Sequence, residues 1–375
     1  MPRPLTVLQL LPALESGGVE RSTLEVSAAL VAAGHRALVV SAGGRLLSAL
    51  RDTGAEHVAL DIGRKAIATL GLVRPLRRLM VEQGVDIVHA RSRLPAWIGW
   101  RALQGLPPAS RPRFVTTVHG LNSPSRYSQV MVRGERVICV SGTVRDYVLR
   151  HYPGTDPARL RVIPRGIDAA AFARAPWPDR DARAAAGLHP ALDGDGPLLL
   201  LPGRGTRLKG HADALDLVAL LRRDGLDARL WMPGARDPSR AAYVAELEAR
   251  ARALGIADAV AITPPTAAIA AAYAASDLVL QLSRKPEAFG RTVVEALAVG
   301  RTVLGWDHGG VGELLREMQP DGVVAAFDAA ALHARARALL ARGAPAAATI
   351  PPEALQRYTL RSMQDATLSV YDELR

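Results

Sequence analysis

The chain has 375 residues, of which 49% are hydrophobic but only 4% aromatic, and it carries a formal charge of +11 at pH 7. That length exceeds one ordinary core and implies two domains, with interiors packed mainly by Leu, Val and Ala. One cysteine, Cys139, excludes a disulfide scaffold and a Cys-based metal site, and no run of about 18 apolar residues is present to span a bilayer. Cys139 falls in the apolar run Val137 to Val140 and reads as a buried core thiol. Leu5 to Leu11 is too short for a signal peptide and runs into Gly17-Gly18, so a reducing cytoplasm is the expected setting.

The charge is unevenly spread. Residues 1–168 hold 23 Lys+Arg against 12 Asp+Glu, while the remainder balances at 24 and 24. An Arg-rich composition accounts for the choice of Arg over Lys but not for the asymmetry. A basic first half points to an acidic partner: a phosphorylated acceptor, an anionic membrane surface or a nucleic acid. The last is excluded by the lack of an aromatic-and-basic stacking patch or an RNA-binding motif.

In chain order, Leu5 to Leu11 reads as a buried strand, Pro12 to Gly18 as a loop, and Val19 to Val31 as an amphipathic helix ending near Gly34. Gly17 and Gly18 let the backbone approach a ligand with no Cβ in the way. A Gly-x-Gly-x-x-Gly fingerprint is missing, which argues against a nicotinamide site. Further strands are expected at Ala37 to Ser41, His57 to Leu60, Asp86 to His89, Arg113 to Val118 and Arg136 to Val140, with helical patterns between most of them. That alternation means a parallel sheet covered on both faces. The stretch Arg64 to Met80 is basic and amphipathic, interrupted by Pro75; a membrane-surface helix and a solvated basic helix both fit it. Arg91 and Arg93 follow a strand end, where open α/β sheets bind ligands, and suit a phosphate or carboxylate. His119 follows the next strand end. Ser141 caps a helix running to Arg150.

From Ala169 to Pro197 the chain is rich in Ala, Asp, Pro and Gly and is the expected linker. The βα rhythm then resumes, with strands at Leu198 to Leu201, Ala228 to Met232, Ala259 to Thr263, Asp277 to Leu282, Thr302 to Gly305 and Gly322 to Ala325. Arg204 and Lys209 flank a Gly-bearing loop at a strand's C-terminal end, a plausible anion clamp. The spacing is not that of a P-loop. Pro286 and Gly290 break the chain after the fourth of these strands, and Arg291 to Ala298 suits a helix. This places Glu287 just before a helix N-terminus and Glu295 inside the helix. Asp193-Gly194-Asp195 lies before a strand rather than after one and reads as a solvated turn.

Glu287 and Glu295, with seven intervening residues that include Ala288, Phe289, Gly290 and Arg291, resemble the donor-sugar motif of retaining glycosyltransferases of family 4, which have the GT-B fold. The resemblance extends to Gly203-Arg204-Gly205-Thr206-Arg207-Leu208-Lys209-Gly210, to Gly309-Gly310-Val311-Gly312-Glu313, and to Ser16-Gly17-Gly18-Val19-Glu20. It implies two Rossmann-like, doubly wound parallel-sheet domains facing a cleft. These are residues 1–168 on the acceptor side and 198–351 on the donor side, with a C-terminal helix, about 352–375, crossing back onto the first. It implies a nucleotide-diphosphate sugar as co-substrate, with UDP as the expected nucleotide, and neither cofactor nor metal. Arg204 and Lys209 would grip the diphosphate, Glu295 the ribose hydroxyls and Glu287 the sugar hydroxyls. Gly17, Gly18, Ala288, Phe289, Gly290 and Arg291 would also line the donor site, and His119 would reach the sugar from the opposite domain. Arg91 and Arg93 would face the acceptor. Many relatives carry Asn where this chain has Arg165, which leaves the role of that side chain open.

The segment His89 to Trp97, with the Gly17 to Arg21 start, further resembles a bacterial subgroup that builds lipopolysaccharide core. The acceptor is therefore expected to be a saccharide or glycolipid, with the enzyme cytoplasmic or peripheral on the inner membrane face. Acceptors of capsule or O-antigen assembly, and a GT-B sugar-nucleotide epimerase that needs no acceptor, are the alternatives.

Overall fold

The computed structural model describes residues 3–15, 17–342, 350 and 352–375. Ser16 and residues 343–349 of the expected second domain therefore lie outside the described residues. The chain divides into two compact units, one formed by Met1–Gly166 with Leu360–Arg375 and the other by Ile167–Thr359.

The first unit is built on seven parallel strands: β1 (Thr6–Leu10), β2 (Arg36–Ser41), β3 (Glu56–Ala59), β4 (Ile87–Ala90), β5 (Arg113–Val118), β6 (Arg136–Cys139) and β7 (Leu160–Val162), in the order β3-β2-β1-β4-β5-β6-β7. The central strands are buried on both faces, which is why they read as continuous apolar runs rather than alternating ones. Leu5, Val7, Leu11, Val39, Ile87 and Ile138 pack with the last helix, through Met363, Val370 and Tyr371. Each such side chain contributes about 1.5–3 kcal/mol by leaving water. Cys139 is fully buried, and burial pushes its thiol up to about 12.

The second unit has six parallel strands: β8 (Leu198–Leu200), β9 (Arg229–Pro233), β10 (Val260–Thr263), β11 (Leu278–Gln281), β12 (Thr302–Trp306) and β13 (Val323–Val324), ordered β10-β9-β8-β11-β12-β13. Each sheet reverses its winding beside its first strand, between β1 and β4 and between β8 and β11. Open parallel sheets bind ligands at the strand ends of that switch point. Two such Rossmann-like units make the GT-B class. No helix among the described residues is long and apolar enough to cross a membrane.

Three expectations need correcting. First, residues 169–197 are not a free linker. Asp179 caps the helix Arg180–Gly187, and Ala186, Ala191 and Leu192 pack against Leu198, Ala261 and Ala275. Arg183 pairs with Asp277 at 3.1 Å, and the buried Arg301 donates to the carbonyls of Pro176 and Ala274. Second, the terminal helix is broken into Pro352–Gln356 and Leu360–Asp372. Only the latter belongs to the first unit, where Gln364 donates to the Glu25 carbonyl and Glu373 pairs with Arg136 and Arg161. Those two guanidiniums hold the Glu373 carboxyl down at about 2. Third, Arg64 to Met80 is not one helix. Ile67–Leu72 is a 3₁₀ turn and Val73–Glu82 an α-helix, with Pro75 in the first turn of the latter, where its missing N–H costs nothing. Leu76 and Met80 point inward. Arg77 lies against the end of the helix Arg93–Gln104, donating to the Ala102 carbonyl at 3.0 Å.

Candidate active site

In the second unit the expected residues gather at the ends of β8 and β11. Leaving β8, the chain turns through Gly203 (φ 151°) and reaches a single 3₁₀ turn, Arg207–Lys209, which ends at Gly210 (φ 75°). Only glycine fits the last position: an added Cβ would lie 2.0 Å from the Leu282 carbonyl oxygen, just past β11. This contact sets the Lys209 loop against the segment that follows β11. Lys209 Nζ lies 2.5 Å from Glu287 Oε1, and the Ser283 hydroxyl donates to the same oxygen. Glu287 is thus already engaged by a cation and a hydroxyl, not an unpaired acid awaiting a ligand. Arg204 is exposed and makes no side-chain hydrogen bond or ion pair among the described residues.

Beyond Glu287, Phe289 is buried against Tyr358, and Gly290 (φ 115°) opens the helix Arg291–Val299. Glu295 sits on the second turn, 8% exposed. It accepts from the Tyr273 hydroxyl at 2.9 Å and from Arg291 Nε at 3.0 Å. Burial and the facing Glu295 carboxylate raise the Tyr273 hydroxyl well above the phenol range, so it stays a donor. The Gly309-Gly310 pair begins the helix Gly309–Met318 and clamps this loop from behind. The Gly310 N–H donates to the Glu287 carbonyl at 2.7 Å. His308 Nε2 donates to the Ser283 carbonyl at 2.7 Å. Sequence reasoning missed Ser283, Tyr273 and His308; the only available signal was that His308 directly precedes the glycine motif. Ala288 lies in the same loop. Asp193 and Asp195 are exposed in a bend before β8, and the described residues contain no cluster of three His, Cys, Asp or Glu suited to a metal.

In the first unit, Gly17 caps the helix Gly18–Ala32 after β1, and Gly18 has open space where a side chain would stand. Arg91 and Arg93 follow β4, and His119 follows β5. Arg91 is 2% exposed, donates from Nε to Gln9 Oε1 at 2.7 Å and from Nη1 to the Ser22 hydroxyl at 3.1 Å, and lies close to the Tyr371 hydroxyl, while Nη2 makes no well-formed hydrogen bond among the described residues. Arg93 donates to the Ser128 hydroxyl and lies over the Tyr127 ring. Arg165 donates to the Ser22 hydroxyl at 2.7 Å and to His119 Nδ1. A guanidinium has no acceptor, so Nδ1 is unprotonated and the ring proton sits on Nε2. Burial and the nearby Arg165 and Arg91 charges hold His119 well below the usual histidine range, so the ring is neutral. Its Nε2–H has no partner among the described residues. Arg165, unassigned from sequence, therefore fixes the tautomer of His119. Lys65, Arg91, Arg93, His119, Asn122 and Tyr127 line a cavity of about 340 Å³.

Residues 16–171 match the family model described as Glycosyltransferase Family 4, and residues 189–352 match Glycosyl transferases group 1. The chain belongs to the family 4 glycosyltransferases. It is 31% identical over 276 residues to a D-inositol 3-phosphate glycosyltransferase of Actinosynnema mirum, covering 68% of this chain and 64% of that relative. The chain thus spans less than two thirds of the length of the curated relatives it matches, and 54% of the Rhodococcus opacus counterpart. Among solved structures, a glycosyltransferase from Rickettsia africae superposes with a TM-score of 0.86 at 26% identity, over 100% of this chain and 99% of that one. Anabaena HepE in complex with UDP gives a TM-score of 0.82 at 20% identity over 98% and 100%; at that identity the likeness concerns the fold alone. HepE has also been solved with UDP-glucose.

Proposed function

We propose that this family 4 glycosyltransferase moves a hexose from a UDP-sugar, with retention, to a phosphorylated saccharide acceptor. The observation that carries the reading is the convergence of Arg204, Lys209, Glu287 and the Arg291 helix N-terminus on the ends of β8 and β11. Such a cluster offers cations and free N–H groups to a diphosphate and a carboxylate to sugar hydroxyls. In the reaction, the bond between the anomeric carbon and the diphosphate oxygen breaks and charge grows on the leaving phosphate. Arg204 and Lys209 stabilise that charge. An acceptor hydroxyl attacks from the same face and passes its proton to the departing phosphate, so no enzymic nucleophile and no metal is called on. Glu295, held by Tyr273 and Arg291, takes the ribose hydroxyls. Glu287 orients the sugar once Lys209 turns to the diphosphate.

The acceptor cavity of the first unit favours a transferase over an epimerase. Its buried Arg91, whose Nη2 makes no well-formed hydrogen bond among the described residues, suits a phosphate on the acceptor. A phosphorylated lipopolysaccharide-core saccharide and an inositol phosphate both present that chemistry. Calorimetry with UDP tests the donor half: Glu295→Ala should weaken UDP binding, whereas Glu287→Ala should leave it nearly intact and lower turnover. Unchanged UDP affinity in Glu295→Ala, or its abolition in Glu287→Ala, sinks the assignment. Transfer assays with phosphorylated and dephosphorylated forms of each acceptor test the other half, and NMR of the product reads its anomeric configuration.

A further inference from the structure

The first unit carries an exposed apolar tip beside its cavity. Ile67 is 88% and Leu70 60% exposed. They stand three residues apart in the 3₁₀ turn Ile67–Leu72, a spacing at which side chains eclipse and project from one side. Between them Thr69 turns inward, 4% exposed, and its hydroxyl donates to the Arg64 carbonyl at 2.6 Å, which holds the turn closed. Ile62 is fully buried at the base. The exposure is therefore built into a fixed turn.

The surroundings are mainly basic, with Asp61 and Glu82 at the two edges. From Ile62 to Val81 the chain carries Arg64, Lys65, Arg74, Arg77 and Arg78 and no acidic residue. Arg77 is spent on the end of the neighbouring helix and Arg78 pairs with Glu82 at 3.5 Å, whereas Arg64, Lys65 and Arg74 are exposed and make no side-chain hydrogen bond or ion pair among the described residues. Gly63 and Lys65 line the cavity that holds Arg91 and Arg93.

We propose that the tip formed by Ile67 and Leu70, flanked along the chain by Arg64, Lys65 and Arg74, inserts into the headgroup region of an anionic bilayer and brings the cavity mouth to the membrane. Two apolar side chains flanked by cations match such a surface in both of its properties, an apolar boundary beneath a layer of negative charge. A protein partner or a second copy would have to offer the same pairing. On the acceptor reading given above, the consequence is a phosphorylated acceptor held in the lipid rather than one arriving from solution. Docking itself does not depend on that reading.

The test is co-sedimentation with vesicles of phosphatidylcholine alone and with about one third phosphatidylglycerol, at low and at physiological salt. The wild-type chain should partition onto the anionic vesicles and be released by salt. Ile67→Ser with Leu70→Ser should weaken partitioning by about tenfold or more at both salt concentrations. Arg64→Glu with Arg74→Glu should weaken it mainly at low salt. UDP affinity, measured on the same preparations, should be unchanged in both double variants. If the wild type ignores anionic vesicles, or if the Ile67/Leu70 variant binds them as well as wild type, the proposal is overturned. If sedimentation velocity instead shows self-association that the serine variant abolishes, with no vesicle binding, the tip is a contact between copies and the proposal again falls. Vesicle binding without UDP binding would leave docking intact and remove the donor reading.

Discussion

Gly310 is where a single methyl group should separate placement of the Glu287 loop from its composition. A Cβ at Gly310 would stand 2.2 Å from the Phe289 carbonyl oxygen and 2.5 Å from its Cα, backbone atoms that cannot rotate away. Restoring an ordinary contact requires the loop and the helix Gly309–Met318 to separate by about 1 Å. That separation stretches the 2.7 Å bond from the Gly310 N–H to the Glu287 carbonyl. Overpacking of this kind costs about 1–3 kcal/mol, and a misplacement of about 1 Å in a catalytic group costs on the order of 100-fold in rate. Gly310→Ala should therefore lower kcat for sugar transfer about 100-fold, with a melting point only a few degrees below wild type. Gly312→Ala on the same helix is the comparison: its nearest clash, at 2.4 Å, is with the Asp307 side-chain oxygen, which can move. A Gly310→Ala enzyme within twofold of wild-type kcat, or a Gly312→Ala enzyme as damaged as Gly310→Ala, would refute the reasoning.

On the proposed reaction Arg204→Ala should lower kcat by about 100-fold or more through lost stabilisation of the leaving phosphate, yet leave the melting point unchanged because the side chain has no partner to lose among the described residues; an unaltered kcat removes Arg204 from the site. On the proposed metal-free reaction a chelator should not inhibit: activity lost in EDTA and restored by Mg²⁺ or Mn²⁺ would overturn that proposal. His211 is fully buried, and burial lowers it from 6.5 to about 4. The unfolded chain then takes up a proton below about pH 6.5 that the folded one refuses, so stability falls as pH drops through that window, by about 2 kcal/mol at pH 5. Chemical denaturation of wild type and His211→Asn at pH 7 and pH 5 should show a smaller loss in the variant; equal losses would exclude His211 as the source.

Strands were legible because parallel strands, covered on both faces, leave uninterrupted apolar runs such as Leu278–Gln281. The short β7 has no counterpart among the expected strands, since three residues carry no period. Residues 169–197 misled because Ala186 and Ala191 bury little area each, so their packing leaves almost no hydropathy signal. In the site, residue types and loop positions were readable, but pairings were not. Lys209 and Glu287 are 78 positions apart, and Arg165 and His119 are 46 apart. Spacing cannot reveal that a lysine occupies the Glu287 carboxylate, or that one arginine sets a histidine's tautomer. The same limit applied at Arg77, which counted towards a basic helix face and instead caps its neighbour.

The Tyr371 hydroxyl lies 2.6 Å from His89 Nδ1, deep inside the first unit, and Arg375 donates to the Arg3 carbonyl. The first unit therefore needs residues 360–375 as well as residues up to 166, whereas the second is a single contiguous stretch. As the chain leaves the ribosome, residues 167–359 are all available before the sheet that begins at Thr6 can receive its covering helix. The body that starts first is closed last. Until residues 360–375 have emerged, His89 and the apolar floor of β1 and β4 wait for a segment not yet made, and in that interval the first unit's core stands exposed.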